Sequence, residues 1–535
     1  MSNPIAEQLG EVGLPEPVAK LAGRDWDAII VGGGHNGLTA AAYLARAGRS
    51  VLVLERRERL GGAATLERPF EDERFVVSPC AYVVGLLDQL VIDELELERR
   101  GLRYWVADPN LWVPFEDGTA FGQWLDDAKS EQGLKDLGVS AKDIAGYWAY
   151  EELFDECRKR LRKGERDTWV GDSPTRAEIE AMLGSQEMID LVFDASIADV
   201  LDSYLSDERL KTALFGQGII GTWGGPYDHG TASIKLMHYQ GDLDGKGPVW
   251  GYVEGGMGMC SFAIADAAAE AGAVLACGVE VAEISPGEGV TLEDGTSIKA
   301  PTVICNADPK RMLGMLGGAE LDPGFRERLE AWKIRSPVVK FNASLERLPT
   351  WTAAPGESWP ARATIDATGT MEEAQAAFER CAAGEPAVAF GEIYIQTGYD
   401  PSPAPEGKHL LSVFGQYAPY ELASGRWDGM RDGVAQQFIE LISRFAPDLP
   451  QCLASYEVLG PPDIEQRIGL TGGNIFQGEV TPDQMWEGRF AARTPAAGLY
   501  MCGAATHPAG SVIALNGRNA AEAVLADQGA AVAAA

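Results

Sequence analysis

Residues 27–64 contain the stretch of sequence that decides the fold. Asp27–Val31 (DAIIV) is a short apolar run, Gly32–Gly37 (GGGHNG) is glycine-rich, Leu38–Ala47 is rich in helix formers, and Val51–Leu54 (VLVL) is apolar again. Short continuous apolar runs are typical of strands that are buried on both faces of a parallel sheet. This order of segments therefore predicts a strand, a glycine turn, a helix and a second strand, which together form one βαβ unit.

The glycine turn fits the pattern G-x-G-x-x-G. Gly32 would make the tight turn after the strand, Gly34 would let the backbone approach a pyrophosphate, and Gly37 would let the helix pack closely on the sheet. The helix that begins near Asn36 would point its free N–H groups and its positive dipole end at the phosphates. Glu55 lies 18 residues after Gly37, where a carboxylate accepts hydrogen bonds from a ribose. The sequence therefore predicts a dinucleotide site.

The same α/β pattern returns twice farther along the chain. Runs at Val274–Ile284 and Pro301–Asn306 indicate strands, and a strand at Gly498–Gly503 precedes a helix at Asn516–Leu525. Between them lie amphipathic helices and three β-rich runs, Val338–Leu345, Ala387–Gln396 and Leu410–Tyr417, which predict an antiparallel sheet covered by helices. We therefore predict the α/β class, with a Rossmann-type domain interleaved with an α+β substrate domain. The predicted nucleotide-binding domain comprises residues 25–110, 245–310 and 490–530, and the substrate domain comprises residues 111–244 and 311–489.

The charge balance excludes nucleic acid as a partner. The 535 residues include 45 basic and 79 acidic side chains, which gives a net charge of −34. Such a charge repels nucleic acid and anionic lipid surfaces. The sequence has no uninterrupted run of 18 apolar residues, so we expect no integral membrane segment. Met1–Ile5 lacks the basic and apolar regions of a signal peptide.

The eight cysteines are scattered, and the closest two, Cys260 and Cys277, lie 17 residues apart. Without a C-x-x-C pair, neighbouring residues can form neither a zinc cluster nor a dithiol redox motif, and we predict no metal site. Sparse cysteines fit reduced thiols in the cytoplasm, which is the predicted location. The sequence leaves a homodimer open.

A second glycine pair, Gly61–Gly62, follows Glu55 after six residues. With it, Val51–Ala64 resembles the stretch V-x-V-x-E-x-R-x-x-x-G-G of flavoproteins with the glutathione-reductase-like FAD fold, which amine oxidases and phytoene desaturases share. In that class the dinucleotide is FAD, and the second glycine pair runs beside the ribityl chain and the pyrophosphate. Amine oxidases usually carry Arg after this pair, whereas this sequence has Ala63. The difference favours a resemblance to the desaturases over one to the amine oxidases.

Later segments support the same resemblance. Trp250–Gly258, Cys305–Pro309 and Leu499–Gly510 resemble the G-G-M-G turn, the N-A-D-P strand end and the terminal G-A-x-T-H-P-G-G element of phytoene desaturase-like proteins. Three more segments narrow the resemblance to the branch called pyridine nucleotide-disulfide oxidoreductase domain-containing protein 2: His229–Ala232, Gly472–Gly478 and Gly517–Ala521. That branch usually has glycine at the positions of Ala509 and Ser511, and this departure would reshape the pocket beside the flavin.

The motif and the resemblance together predict which residues hold FAD. Val279 would contact the adenine, and Gly503 would reach the pyrophosphate. The helix after Ser511 would point its N terminus at the pyrimidine edge of the flavin and stabilise the reduced anion. The predicted FAD-binding residues are Gly32, Gly34, Asn36, Gly37, Glu55, Arg56, Arg57, Gly61, Gly62, Ala63, Ala64, Val279, Asn306, Gly503, Ala504, Ser511 and Val512.

His507 is the candidate catalytic residue. It lies between the last strand and the last helix, so we expect it close to the isoalloxazine. An imidazole with a near-neutral pKa would suit proton transfer there. The alternative is that His507-Pro508 only shapes the turn and hydrogen-bonds to the backbone.

We predict a FAD-dependent dehydrogenase or desaturase that acts on a C–C bond of an apolar or amphipathic small molecule. One substrate carbon would lose a hydride to flavin N5 and its neighbour a proton. Because the sequence lacks a paired redox cysteine, we expect the electrons to pass to oxygen or a quinone rather than through a disulfide. Two alternatives stay open: an amine or alcohol oxidase on the same fold, and a flavin-bearing binding protein without turnover.

Overall fold

The computed structural model describes residues 9–529 of the chain. In this range the helices are α1 (Val18–Ala22), α2 (His35–Arg46), α3 (Gln89–Glu94), α4 (Asp127–Asp136), α5 (Ala141–Arg162), α6 (Arg176–Leu183), α7 (Gln186–Phe193), α8 (Ile197–Tyr204), α9 (Glu208–Leu214), α10 (Ala232–His238), α11 (Gly258–Glu270), α12 (Pro309–Leu316), α13 (Pro323–Ala331), α14 (Met371–Ala382), α15 (Arg431–Ser443), α16 (Leu449–Cys452), α17 (Pro461–Ile468) and α18 (Leu515–Asp527). The strands are β1 (Ala28–Val31), β2 (Val51–Glu55), β3 (Tyr104–Val106), β4 (Leu111–Pro114), β5 (Ala120–Gln123), β6 (Gly251–Val253), β7 (Val274–Cys277), β8 (Val281–Ser285), β9 (Gly289–Leu292), β10 (Ser297–Lys299), β11 (Thr302–Cys305), β12 (Val338–Leu345), β13 (Ile365–Thr368), β14 (Phe390–Tyr394), β15 (His409–Gln416), β16 (Leu453–Leu459) and β17 (Leu499–Met501).

Five strands form a parallel sheet in the order β17–β11–β1–β2–β7. The helices α2, α11 and α18 cover one face of this sheet, and α12, α13 and the three-stranded sheet β8–β9–β10 cover the other. Every residue of β1, β2 and β11 is therefore buried. The predicted βαβ unit is confirmed, because β1 ends at Val31, α2 begins at His35 and β2 ends at Glu55.

Two glycines allow α2 to pack closely on its neighbours. A Cβ atom on Gly37 would lie 2.2 Å from the carbonyl oxygen of Gly32, so α2 can approach the turn before it only without that side chain. A Cβ atom on Gly517 of α18 would lie 2.1 Å from the carbonyl oxygen of Asn36. Because these obstacles are backbone atoms, a side chain could be accommodated only if a helix moved.

We predict that Gly517→Ala destabilises the protein by about 1–3 kcal/mol, the usual cost of overpacking a well-packed contact. The matched control is Gly433→Ala on α15, where a Cβ atom would meet nothing within 4 Å. This control should be neutral or stabilising by up to about 1 kcal/mol, because alanine favours helix over glycine. Urea denaturation followed by circular dichroism compares the two, and equal midpoints for Gly517→Ala and wild type would contradict the packing argument.

A second sheet contains seven strands in the order β16–β12–β15–β14–β13–β4–β5. Helices between α5 and α10 pack on one face and α15 packs on the other. The sheet is mixed rather than antiparallel as predicted, because β13 runs parallel to β4, with Ile365 opposite Trp112. The strands β4 and β13 lie far apart in the sequence, so no hairpin turn imposes antiparallel pairing between them.

Within residues 9–529, none of the helices combines the length and the apolar composition needed to cross a bilayer.

Candidate cofactor-binding site

A cavity of about 380 Å³ opens where β1, β2 and β11 end. Ligands of open parallel sheets bind at this carboxyl edge. Eleven of the seventeen predicted FAD-binding residues line the cavity: Gly32, Gly34, Asn36, Glu55, Arg56, Gly61, Gly62, Ala63, Val279, Asn306 and Ala504.

The carboxylate of Glu55 is fixed by two backbone N–H groups. Gly33 N–H donates to Oε2 at 2.8 Å, and Arg57 N–H donates to Oε1 at 2.9 Å. Burial raises the pKa of Glu55, and the two donors partly oppose this shift. The carboxylate thus braces the glycine turn against the end of β2 and still faces the cavity, where its remaining lone pairs can accept hydroxyl groups.

The second glycine pair lies directly against the glycine turn. Gly61 N–H donates to the carbonyl oxygen of Gly33 at 2.9 Å, and Gly61 pairs with Gly34 in a parallel bridge. Gly61 and Gly62 have φ angles of 105° and 58°, which favour glycine, and a Cβ atom on Gly61 would lie 2.3 Å from the carbonyl oxygen of Ala64. Bare backbone therefore forms this wall of the cavity.

Six predicted FAD-binding residues do not line this cavity. Gly37 packs against Gly32, and Arg57 forms an ion pair with Glu67. A Cβ atom on Gly503 would lie 2.3 Å from Oε1 of Gln477, so Gly503 serves the close approach of two chain segments. The other three are Ala64, which is fully buried behind the glycine pair, and Ser511 and Val512, which lie in the tail before α18.

Sequence reasoning missed several residues that the fold brings to the cavity. Arg311 of α12 lies at the cavity with Arg56, and burial, together with the charge of Arg311, lowers the pKa of the Arg56 guanidinium. Gln477 donates from Nε2 to the carbonyl oxygen of Asn306 at 3.2 Å and so joins β11 to the residues after α17. The segment Gly472–Gly478 is one of those that resemble the family, but its sequence gives no sign of this contact. Residues 468–470 and Ile475 complete this side of the cavity.

A chain of polar contacts leads from the cofactor side into the seven-stranded sheet. Arg57 pairs with Glu67, which also pairs with Arg467. Arg467 lies 2.8 Å from Glu457 of β16, and Asn342 of β12 donates to Glu457 at 3.1 Å. The two sheets are therefore linked by continuous charged and hydrogen-bonded contacts.

This series of polar contacts ends at a buried lysine, which sequence reasoning also missed. Ser412 Oγ donates to Asn342 Oδ1 at 2.8 Å, and Lys340 Nζ donates to Ser412 Oγ at 2.8 Å. Lys340 is 2% exposed, and its Nζ lies 4.0 Å from the centre of the Tyr82 ring. Burial lowers the pKa of Lys340 to about 7, so its amine exchanges a proton near neutral pH.

The tail before α18 adopts backbone conformations that residues other than glycine rarely adopt. Ser511, Val512 and Ala514 have φ angles of 83°, 57° and 68°. Each left-handed residue with a Cβ atom costs on the order of 1–2 kcal/mol, so the surrounding contacts must hold the segment in place. One such contact is Asn516, whose Nδ2 donates to the carbonyl oxygen of Ala509 at 3.1 Å. Ser511 thus stands in a conformation that favours the glycine expected there.

His507 is buried, but it does not line the cofactor cavity. Its Nε2 lies 2.6 Å from the carbonyl oxygen of Thr168 and must donate the proton there, because a carbonyl only accepts. Burial lowers the pKa of His507 to about 4, so the near-neutral value expected from the sequence is corrected. A neutral ring that donates to the backbone supports the structural alternative over the catalytic one.

We predict that His507→Gln keeps FAD and the rate of flavin reduction, because the amide can still donate to Thr168. The folded-state pKa of about 4 lies below the ordinary value of 6.5, so the unfolded chain binds the proton more readily. The contribution of His507 to stability is therefore present above pH 6.5 and is lost as the pH falls towards 4. Removing the imidazole should reduce this acid-induced loss by up to about 3 kcal/mol.

Urea denaturation at pH 7 and pH 4.5 measures the difference between the variant and wild type. A 10²–10⁴-fold slower reductive half-reaction in FAD-saturated His507→Gln would restore the catalytic hypothesis.

Comparison with known proteins agrees with this geometry. Residues 30–84 match the NAD(P)-binding Rossmann-like domain, and residues 158–525 match the flavin containing amine oxidoreductase family. The chain belongs to the flavin containing amine oxidoreductase family. Pyridine nucleotide-disulfide oxidoreductase domain-containing protein 2 of Mus musculus is 32% identical over 94% of both chains. Hydroxyneurosporene desaturase of Cereibacter sphaeroides is 25% identical over 93% of this chain and 97% of its own.

A solved structure shows the same fold at low sequence identity. Cyclohexylamine oxidase of Brevibacterium oxydans is 17% identical, with a TM-score of 0.57 over 95% of this chain and all of that chain. The family resemblance stated from the sequence motifs is confirmed, and so is its cofactor, which is FAD.

The residues around the cavity fit FAD. A Cβ atom on Gly34 would lie 3.1 Å from Nδ2 of Asn306 and 3.9 Å from Cα of Gly62, so it would occupy the space between two cavity walls. Within residues 9–529, three polar atoms of the lining are buried without a hydrogen-bond partner: Nε2 of His35, Oδ1 of Asn36 and Nε of Arg311. Unsatisfied donors and acceptors together with a bare glycine wall suit a nucleotide that carries both phosphates and hydroxyls.

We predict that Gly34→Val yields protein without FAD, because the side chain would fill the space that the pyrophosphate needs. The yellow colour and the FAD released by acid precipitation measure the effect. Gly433→Ala, far from the cavity, is the control and should retain stoichiometric FAD. Full FAD content in Gly34→Val would show that the phosphates lie elsewhere.

Proposed function

We propose that this FAD-dependent oxidoreductase dehydrogenates a C–C bond of an apolar or amphipathic small molecule. The observation that carries this proposal is the apolar wall of the cofactor cavity. Ala63 and Ile475 line the cavity and also pack against a large apolar cluster, which includes Phe476 and Ala509 and extends to the helices of the second sheet. An apolar substrate would gain from burial in such surroundings, whereas a polar one would lose its hydration.

The chain divides its tasks between the two sheets. The chemistry that bound FAD would supply is that of a hydride acceptor. Glu55 and the bare backbone of the two glycine segments would hold the cofactor, and Asn36 and Arg311 would offer it polar atoms that have no hydrogen-bond partner within residues 9–529. The apolar cluster excludes water from the reacting carbon, which favours hydride transfer over side reactions.

Lys340 is our candidate for the group that accepts the substrate proton. Its amine is buried, it is positioned by Ser412, and it is connected through Asn342 to the cofactor side. A proton acceptor works best when its pKa is close to the working pH, and the pKa of Lys340 is lowered to about 7. Because only the neutral amine accepts a proton, flavin reduction should accelerate as the pH rises through about 7.

We predict that Lys340→Met retains FAD but slows the reductive half-reaction by about 10²–10⁴-fold and removes this inflection. The matched control is Lys299→Met, which removes an exposed lysine on β10. Stopped-flow measurement of flavin bleaching at pH 5.5–9 compares the variants. An unchanged inflection in Lys340→Met would assign proton transfer to another group.

An anaerobic substrate screen tests the proposed reaction itself. Purified holoenzyme is mixed with apolar alkenes and with amines and alcohols of the same carbon skeleton, and bleaching of the flavin is recorded. The proposal expects bleaching by a compound that has no amine or alcohol at the oxidised carbon, with a new C=C bond in the product. Bleaching only when an amine or alcohol carbon is oxidised would support the alternative that the family's name favours. Stoichiometric FAD that no cell extract reduces would support a binding protein.

The electrons are proposed to leave the flavin for oxygen or a quinone. All eight cysteines are free and buried. Cys305 ends β11 and Cys502 directly follows β17, and these two thiols pack in different apolar clusters. Burial also raises the pKa of both thiols, which makes them poor nucleophiles. This arrangement supports an electron path without thiol exchange.

We also propose that the fold is the glutathione-reductase-like version of the FAD-binding fold. The strand order β17–β11–β1–β2–β7 with β8–β9–β10 inserted before β11 supports the glutathione-reductase-like version of the fold. The domain boundaries at residues 110, 244, 310 and 489, the cytoplasmic location and a homodimer stay predictions.

A further inference from the structure

One buried arginine lies directly behind the wall of the cofactor cavity. Arg489 is 2% exposed and belongs to the segment between α17 and β17. Its Nη2 donates to the carbonyl oxygen of Ala504 at 2.7 Å, and Ala504 lines the cavity. The same nitrogen donates to Phe476 at 2.6 Å, and the neighbours of Phe476 in the chain, Ile475 and Gln477, also line the cavity. The guanidinium is therefore one residue away from the space that the cofactor would occupy.

Every oxygen that accepts a hydrogen bond from this guanidinium is a main-chain carbonyl. Nε and Nη2 both donate to Ala504, and Nη2 donates to Phe476. Nη1 donates to Glu479 at 2.9 Å and to Gln484 at 3.1 Å. These carbonyl groups hold the guanidinium in one position, but as neutral dipoles they do not cancel its charge.

The charge of Arg489 also lacks a partner of opposite sign. Within residues 9–529 it forms no ion pair, whereas the other three buried arginines, Arg158, Arg162 and Arg518, each pair with a carboxylate at 2.9 Å or less. Burial lowers the pKa of Arg489 to about 9, so the guanidinium is still charged at neutral pH. A buried cation without a counter-charge is costly, and a ligand that brings negative charge offsets this cost.

The order of the strands indicates which part of FAD would lie near Arg489. From β7 across the sheet to β17, the cavity residues at the carboxyl edge are Val279, Glu55, the glycine turn, Asn306 and Ala504. Neighbouring strands are about 4.8 Å apart, so Ala504 lies about 14 Å along this edge from Glu55. FAD runs from adenine and ribose through the pyrophosphate to the isoalloxazine. A ribose at Glu55 and a pyrophosphate at the glycine turn would therefore place the flavin half towards Ala504 and Arg489.

The layer between Arg489 and the cavity is closely packed. Phe476 is 1% exposed and Ala505 is fully buried. A Cβ atom on Gly503 would lie 2.3 Å from Oε1 of Gln477, so the segments that form this layer are in direct contact. Charges interact more strongly across such a layer than through water, because its dielectric constant is lower. The guanidinium can thus act on a ligand that it does not touch.

We infer that Arg489 stabilises the negative charge that the isoalloxazine gains on reduction, and that it thereby raises the reduction potential of bound FAD. Two electrons and one proton convert FAD into the anion FADH⁻, and a fixed cation nearby favours this anion over the neutral oxidised ring. Because Arg489 acts across Ala504, it is a positioning residue. The inference goes beyond the proposed function, because it applies whichever substrate bond the flavin oxidises.

The experiment measures the midpoint potential of FAD in the purified holoenzyme by equilibration with a redox dye of known potential. We expect Arg489→Met to lower the preference for reduced over oxidised FAD about tenfold or more, which equals a potential that is more negative by about 30 mV or more for a two-electron couple. Arg489→Lys keeps the positive charge and should stay within about threefold of wild type, although it loses part of the hydrogen bonding.

The matched control is Arg493→Met. It removes an exposed arginine of the same segment, which pairs with Asp527, and should change the preference by less than about twofold. A role of Arg489 in holding the loop alone would lower the midpoint of urea denaturation in the Met and Lys variants but would leave both potentials unchanged. FAD content and circular dichroism verify that each variant is folded.

Three results would overturn the inference. The first is an unchanged potential in Arg489→Met, and the second is an equal loss in Arg489→Met and Arg489→Lys, because hydrogen-bond geometry rather than charge would then be responsible. The third is a difference from wild type that disappears in 0.5 M NaCl, since salt screens exposed charges far more than buried ones. Oxidised and reduced FAD that are weakened by the same factor would give the first result and would assign the charge of Arg489 to the pyrophosphate.

A measurement on wild type covers the case in which Arg489→Met does not fold or does not bind FAD. The holoenzyme is reduced electrochemically at pH 6, and a pH indicator records the protons taken up. We expect one proton for two electrons, which is the balance for FADH⁻. Uptake of two protons would show that the reduced flavin is neutral and would overturn the inference. None of these measurements uses a substrate, so failure of the substrate screen would remove the proposed function and leave this inference standing.

Discussion

The cofactor edge of the molecule depends on the buried carboxylate of Glu55. Its two oxygens accept from Gly33 and Arg57, so one side chain fixes both the turn after β1 and the chain after β2. Only when these two segments are fixed can Gly61 reach the carbonyl oxygen of Gly33 and close the wall of the cavity. The position of Arg57, and through it the contacts that lead to the second sheet, follows from the same interaction.

The part of the fold that the sequence predicted is the part that local backbone chemistry dictates. The βαβ unit is set by glycines and by apolar runs within 30 residues of one another, and β12 was predicted at the same bounds that it has in the structure. The packing role of Gly37 was also predictable, because a helix that starts next to a strand end must approach it closely. Such features need no knowledge of the rest of the chain.

The remaining site residues could not be found in this way, because their partners lie far along the chain. Arg311 and Gln477 reach the cavity only after α12 and the segment after α17 have packed against it. Outside the cavity lining, Asp366 and Glu392 likewise look like ordinary polar residues of two β-rich runs until the strand register sets them opposite each other. His507 shows the converse: its place in the sequence suggested the flavin, but burial against Thr168 gave its side chain another partner.

The buried charged groups in and beside the second sheet are neutralised in two different ways. Arg57, Glu67, Arg467 and Glu457 alternate in sign, so each finds its compensation in the protein, and their contacts tie the two sheets together. The carboxyl groups of Asp366 and Glu392 have the same sign and stand opposite each other, and neither forms an ion pair within residues 9–529. Burial and the charge of Glu392 raise the pKa of Asp366, and burial raises the pKa of Glu392, so protons rather than a partner of opposite charge neutralise this pair.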